Sequence, residues 1–161
     1  MKRLLIALGL VLSLTACHSH HAAAQVDASA AQAYLAANAK QPGVITLPDG
    51  LQYKIVTSGP ASGVKPQASD EVKVDYEGKL ASGAVFDSSF ARGVPADLPL
   101  QGLIPAWVEA LQRMRPGDEW ILYVPPEMGY GDKESGPIPP NSVLIFRIQL
   151  LGVLPHPGPQ A

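Results

Sequence analysis

The sequence holds a single cysteine, Cys17, so no disulfide can close within one chain and the fold has to rest on its core. Charge is scarce as well. Asp, Glu, Lys and Arg make up 16% of the residues, the net charge is −2, and no basic run follows Lys2 and Arg3, which excludes the electrostatic footprint of a nucleic-acid-binding surface. The longest apolar run, Leu4–Leu14, is too short for a comfortable membrane span. Histidine is confined to His18, His20, His21 and His156. The stretch VFDSSF at 85–90 sets Asp87 beside Ser88 and Ser89 and invites a nucleophilic reading. That reading lacks both a G-x-S-x-G elbow and a histidine base between the leader and the tail. Proline and glycine are what the chain has in excess. Pro (16) and Gly (15) exceed the usual share of ~12% and cluster between strand-like runs, which favours a turn-rich sheet protein over a helical bundle.

The cysteine has an informative position. MKRLLIALGLVLSLTAC joins a basic start to the apolar run and ends in Leu14-Thr15-Ala16-Cys17, which resembles the bacterial lipobox, where the cysteine is lipidated and becomes the new N-terminus. His18, rather than Asp, follows it, which by the same resemblance favours outer-membrane sorting. The alternative is a soluble exported form cut after Ala22-Ala23-Ala24, leaving Gln25 first. On either reading the mature protein works outside the cytoplasm, in the periplasm. His18, His20 and His21 beside Cys17 read as a solvated tether rather than a metal site, because an acylated thioether is no thiolate ligand and nothing there supplies a second shell.

Residues 1–17 are thus expected as a lipoprotein signal peptide and 18–43 as a linker with a short Ala-rich helix over Ser29–Lys40. Ala33, Tyr34 and Ala37 form that helix's narrow face, and Pro42-Gly43 stops it. A domain follows over 44–152, then a Pro-rich tail over 153–161. Within the domain LQYKIVT (51–57) predicts a strand. EVKVDYEGKL (71–80) alternates strictly, with Val72, Val74, Tyr76, Gly78 and Leu80 on one face, and predicts a half-buried strand. Ser82-Gly83 turns the chain into a short partner at Val85-Phe86-Asp87. IPAWVEALQRM (104–114) predicts a helix whose stripe is Ile104, Val108 and Leu111, with Trp107 and Met114 alongside, ended by Pro116-Gly117. Strands are predicted again at 118–124 and 142–152, separated by the Pro/Gly loop 125–141. One helix across an antiparallel sheet is an α+β plan.

The scarce aromatic residues fall on the inner faces of these elements: Tyr76, Phe86, Trp107 and Phe146. Tyr130 is different, since it stands in the long loop between Gly129 and Gly131, where a bent backbone can present one large polar-tipped side chain. VDYEGKLASGAVFDSSF, PLQGLIPAWVEALQRMRPGDEW, PPEMGYG and IPPNSVLIFRIQLL, in this order, resemble the signatures of FKBP-type peptidyl-prolyl isomerases. More narrowly they resemble the bacterial macrophage-infectivity-potentiator and periplasmic subgroup, to which NAKQPGVITLPDGLQYKIV is also similar.

The resemblance implies a five- or six-stranded antiparallel sheet wrapped around one short helix, with an apolar pocket between them. It implies Trp107 as the pocket floor, Tyr76, Phe86 and Phe146 as aromatic walls, Leu98, Leu103 and Ile138 as lining, and a backbone N–H donated by Ile104. It further implies that Tyr130 gives its hydroxyl to a substrate carbonyl and that Asp87 lies beside the amide that twists, while Ser88 and Ser89 hold the turn by bonding local backbone. Rotation about an X–Pro bond breaks no covalent bond, so no metal or cofactor is expected. Proline-containing exported polypeptides are the implied partners, and macrolides of the tacrolimus and rapamycin type the implied inhibitors. A non-catalytic binding module or periplasmic chaperone using the same groove is the alternative. The sequence departs from the subgroup at Ala106, Leu98, Gly129 and Pro137. The subgroup's long dimerising helix is represented only by Ser29–Lys40, from which a tethered monomer is expected.

Overall fold

The structure, a computed structural model, describes residues 28–154. The leader with Cys17, the three histidines that follow it and the tail with His156 lie outside the described residues. Ten regular elements follow one another: α1 (Ala28–Asn38), β1 (Val44–Thr46), β2 (Gln52–Thr57), β3 (Glu71–Leu80), β4 (Val85–Ser88), α2 (Ser89–Arg92), β5 (Ala96–Pro99), α3 (Pro105–Leu111), β6 (Glu119–Val124) and β7 (Leu144–Leu154). Single 3-10 turns stand at Leu100–Gly102 and Pro126–Met128.

The strands form one antiparallel sheet in the order β1-β2-β6-β7-β3-β4, and β5 pairs with the first half of β3 on the edge that β4 shares. The fold class is thus the expected α+β. The sheet counts seven strands where five or six are implied. The extra ones are three and four residues long, too short to show a period-two pattern. Its spine is the pairing of β3 with β7, which runs from Glu71↔Leu154 to Leu80↔Leu144 and shifts register once between Lys73 and Val74. The alternation of β3 is realised as read: Val72, Val74, Tyr76 and Gly78 are buried on the side that receives α3.

α3 is shorter than its apolar pattern predicts. Arg113 N–H bonds to Ala110 O at 2.9 Å, and Met114 N–H is shared between Leu111 O at 3.1 Å and Ala110 O at 3.2 Å, so the helix tightens into i→i−3 bonding and ends before Met114. Its face is also rotated from the expected stripe. Ala106, Trp107, Ala110 and Leu111 are buried, whereas Ile104 and Val108 are half-exposed. Two alanines flanking one tryptophan let the helix approach the sheet closely while the indole fills the space between.

α1 likewise turns a different face to the domain. Ala31 is buried and Tyr34 and Leu35 are half-buried, while Ala33 and Ala37 are exposed. Gln52, 4% exposed, sets this docking. Its amide accepts from Asn38 Nδ2 at 2.8 Å and donates to Leu35 O at 2.9 Å, so both polar ends are satisfied at the end of the helix. Alanine periodicity could not reveal a contact made through one side-chain amide. A second lock lies under the turn after α3. Buried Asp118 accepts from Gly59 N at 2.6 Å and Arg115 N at 2.9 Å, and Gly59 sits so close that a Cβ there would meet Pro116 O at 2.2 Å.

Gly78 makes the sharpest steric demand near the site. A Cβ on it would lie 2.7 Å from the Phe86 ring and 2.8 Å from the Phe146 ring. Gly78→Ala is therefore expected to lower stability by about 1–3 kcal/mol through overpacking. Gly102→Ala, where an added Cβ meets nothing within 4 Å, stays within about 0.5 kcal/mol. Urea unfolding of the two variants checks both values.

Candidate active site

Between α3, β3, β5 and the loop after β6 lies a cavity of about 260 Å³. Trp107, 4% exposed, is its floor. The indole is met edge-on by Tyr76 (ring centroids 5.2 Å apart, 85°) and by Phe146 (5.3 Å, 88°). Edge-to-face pairs place the positive ring edge against the negative face, and each is worth about 0.5–1.5 kcal/mol beyond its burial. The indole N–H of Trp107 is buried without a hydrogen-bond partner among the described residues.

Eight of the ten residues expected at the site line this cavity: Tyr76, Asp87, Leu98, Leu103, Ile104, Trp107, Tyr130 and Phe146. Phe86 and Ile138 do not. Phe86 stands behind Phe146, edge-on at 5.7 Å, and thereby supports the wall from outside. Ile138 is 4% exposed, held by reciprocal 3.0 Å backbone bonds with Ser135, and belongs to the core. A second groove of about 320 Å³, between α1 and the turn at Leu80–Ser82, gathers none of the expected residues.

The polar side of the cavity is more tightly built than sequence spacing suggests. The Tyr76 hydroxyl donates to Asp87 Oδ2, and the Arg92 guanidinium donates to Asp87 Oδ1 and, at 3.1 Å, to the Tyr76 hydroxyl. Burial pushes the Asp87 carboxyl up, but the two hydrogen bonds and the Arg92 charge outweigh that and hold it below its usual value. Burial, and then the bond to Asp87, raise the Tyr76 phenol above its usual value. A fixed carboxylate thus faces the mouth across the working pH range.

Arg92 was missed by sequence reading, and so was Gly102, which lines the cavity. The signal for Arg92 is local. Ser88 caps the one-turn helix α2, with its Oγ accepting from Ala91 N at 3.2 Å, and Gly93 closes the turn in the left-handed region at φ 71°. That single turn sets Arg92 five residues after Asp87 and facing it. No comparable signal marks Gly102.

Ser88 bonds local backbone as expected, whereas Ser89 does not. Ser89 is fully buried. Its Oγ accepts from Tyr76 N at 2.8 Å and donates to Asp75 Oδ1 at 2.7 Å, both on β3. The departure has a geometric cause: β4 ends at Ser88, so the next side chain turns inward to the Tyr76 amide, which lies between the parts of β3 that pair with β5 and with β4. With its proton committed to Asp75, Ser89 is a cross-strand lock and no nucleophile.

Two donors remain at the mouth. Ile104, the N-cap of α3, accepts through its carbonyl from Trp107 N and Val108 N, and its own N–H donates to no group among the described residues. Tyr130 is 40% exposed and its hydroxyl has no partner among them. Gly131, at φ 63°, bends the loop back, with its N–H on Pro126 O at 2.8 Å, which aims Tyr130 across the cavity.

The comparisons agree with this geometry. Residues 62–151 match the family described as FKBP-type peptidyl-prolyl cis-trans isomerase, and residues 13–55 match the domain amino terminal to it. The chain is 49% identical to the peptidyl-prolyl cis-trans isomerase Mip of Coxiella burnetii over 79% of its own length and 55% of that protein's. It is 45% identical to the outer membrane protein MIP of Legionella longbeachae over 81% and 55%. The chain therefore spans little more than half the length of these relatives. The crystal structure of FkpA from Escherichia coli superposes with a TM-score of 0.76 at 41% identity, covering 80% of this chain and 60% of that one. An isomerase structure from Pseudomonas syringae gives 0.72 at 35%, covering 78% and 92%. Fold, cavity and ordered sequence blocks converge, and the chain belongs to the FKBP-type peptidyl-prolyl cis-trans isomerase family.

Proposed function

We propose that the cavity over Trp107 catalyses cis–trans rotation about X–Pro bonds in exported polypeptides. The observation that carries this reading is the meeting, at one mouth, of an apolar aromatic floor, a fixed carboxylate and two unspent donors. The reaction's barrier, about 18–20 kcal/mol, is the amide resonance lost on twisting, and unaided exchange takes tens to hundreds of seconds. An enzyme therefore has to favour the twisted amide over both planar forms. A planar amide carries negative charge on oxygen, which water stabilises and a twisted amide has less of. The proline ring on Trp107, between Tyr76 and Phe146, displaces that water. The Asp87 carboxylate adds to the effect, because a fixed negative charge near the carbonyl oxygen disfavours the planar form more than the twisted one. The Ile104 N–H and the Tyr130 hydroxyl hold the flanking carbonyls in the turn that twisting needs. Arg92 positions Asp87 and keeps it charged, and Phe86 keeps Phe146 upright. Leu98 and Leu103 receive the residue before proline. The same apolar floor and donors suit a macrolide of the tacrolimus type as a competitive inhibitor.

The site of action follows from Leu14-Thr15-Ala16-Cys17 and from the outer membrane protein among the relatives. Cleavage before Cys17 and its lipidation tether the domain, through 18–27, to the periplasmic face of the outer membrane. Labelled palmitate is expected in the wild type and absent from Cys17→Ser; a wild type without label overturns the anchor.

Refolding of a proline-limited reporter tests catalysis. Wild type accelerates it, Asp87→Leu loses about ten- to a hundredfold in kcat/KM, and Tyr130→Phe loses less because one of two donors remains. A wild type that binds prolyl peptides without accelerating refolding is a binding module instead.

The pH profile follows from the charge state of Asp87. Its pKa is lowered below the usual value of 3.8, so the carboxylate form persists to lower pH and activity declines only as pH falls through that lowered value. The phenol of Tyr76 titrates above its usual 10.0. Activity is thus expected to be flat from about pH 5 to 9. Arg92→Leu removes a hydrogen bond and a charge that favour ionised Asp87 and moves the acid limb upward, which a pH series of kcat/KM on a peptide substrate reads directly.

A further inference from the structure

We infer that the Pro-rich segment 155–161, PHPGPQA, is a built-in competitor for the same pocket, binding in cis with a proline ring on Trp107. This rests on the prolyl-recognising reading of the cavity. The strand register shows how near the pocket the segment starts. Val72 of β3 pairs on one edge with Val153 of β7 and on the other with Leu98 of β5, so Val153, Val72 and Leu98 form one row across the sheet. Two strand spacings separate Val153 from Leu98 by about 10 Å between Cα atoms. Leu98 lines the cavity.

Direction agrees with proximity. β5 and β7 are both antiparallel to β3, so they run the same way and leave the sheet at the same end. From that end the β5 chain reaches the lip of the pocket directly, through the turn Leu100–Gly102 to Leu103 and Ile104. Directly paired residues share a face, so Val153 stands on the α3 side with Val72, and it is only half-buried there. Val72 itself is fully buried between Val153 and Leu98, so the segment has to pass around the end of the sheet, beside Pro99 and Leu100, rather than over the row.

Seven residues follow Leu154. Pro157 can lie up to about 10 Å, and Pro159 up to about 17 Å, beyond Leu154. Leu154 is held in β7, so the Leu154–Pro155 bond stays at the sheet edge. His156–Pro157 and Gly158–Pro159 are the bonds the tether can deliver, and Gly158 supplies the freedom to reverse direction. The segment carries no Asp or Glu side chain to be repelled by Asp87. A tether this short presents the prolines it carries at an effective concentration on the order of millimolar, so even a millimolar intrinsic affinity fills the pocket about half the time. The tail then raises the apparent KM for external substrate about twofold and leaves kcat unchanged. It selects for substrates able to displace it.

Three chains test this: the full chain, the chain ending at Leu154, and the full chain with Pro157→Ala and Pro159→Ala. A prolyl peptide assay is expected to give a KM about twofold lower in the two altered chains with equal kcat. In ¹⁵N-labelled protein the indole N–H resonance of Trp107 shifts on truncation while that of Trp120, away from the cavity, stays. Equal KM and an unmoved Trp107 resonance overturn the inference. So does a truncation effect that the double alanine chain fails to reproduce, since the contact would then not be prolyl. If no chain accelerates isomerisation, the isomerase reading falls separately, and the Trp107 resonance in the three chains still decides whether the tail occupies the pocket.

Discussion

Trp107 is the contact on which the rest of the site depends. Its indole is clasped edge-on by Tyr76 from β3 and Phe146 from β7, the two strands with the longest shared register in the sheet. Those strands cannot shift by one residue without sending both rings to the other face. The helix is equally constrained, because Ala106 and Ala110 beside the tryptophan are fully buried and leave no slack for rotation. A pocket floor built this way has no soft degree of freedom. That suits the proposed reaction, in which the protein contributes shape and field rather than a covalent partner.

Absence of side chain matters as much as presence. Gly78 follows Tyr76 on the inner face of β3, and the space a Cβ would take there is filled by the rings of Phe86 and Phe146. Remove that vacancy and Phe146 loses the room it needs to stand edge-on to Trp107. The aromatic wall is therefore specified by a glycine in a strand, normally a weakening choice, placed where two rings converge. The same logic holds for Gly59 against Pro116, where two backbones touch and Asp118 ties them together.

The fold and most of the site were legible in the sequence for different reasons. β3 showed itself by alternation alone, and its limits were read correctly because ten residues of period two admit one interpretation. The pocket residues came from ordered motif blocks, since scattered aromatics that meet only in space leave no spacing signal. The misread helix faces share a cause. The faces of α1 and α3 were inferred from apolar period, yet α1 is seated by the Gln52 amide and α3 by two alanines, neither of which carries weight in a hydrophobic stripe. Ile138 has a different origin, since its place at the rim was implied by the family resemblance alone. Its backbone is paired with Ser135 and its side chain is buried, outside the cavity lining.

VFDSSF shows how closely support and chemistry are interleaved in this chain. Phe86 backs a pocket wall, Asp87 points its charge into the mouth, Ser88 caps the helical turn, and Ser89 locks that turn to β3. Four consecutive residues thus have four directions, possible because a strand ends and a helix begins between Ser88 and Ser89. The helical turn in turn delivers Arg92, which keeps Asp87 ionised against its partial burial. A hydroxyl beside a carboxylate looks like a nucleophile only while its neighbours are unknown. With the Ser88 hydroxyl accepting from Ala91 N and the Ser89 hydroxyl spent between Tyr76 N and Asp75, the two serines fix the turn that carries the carboxylate.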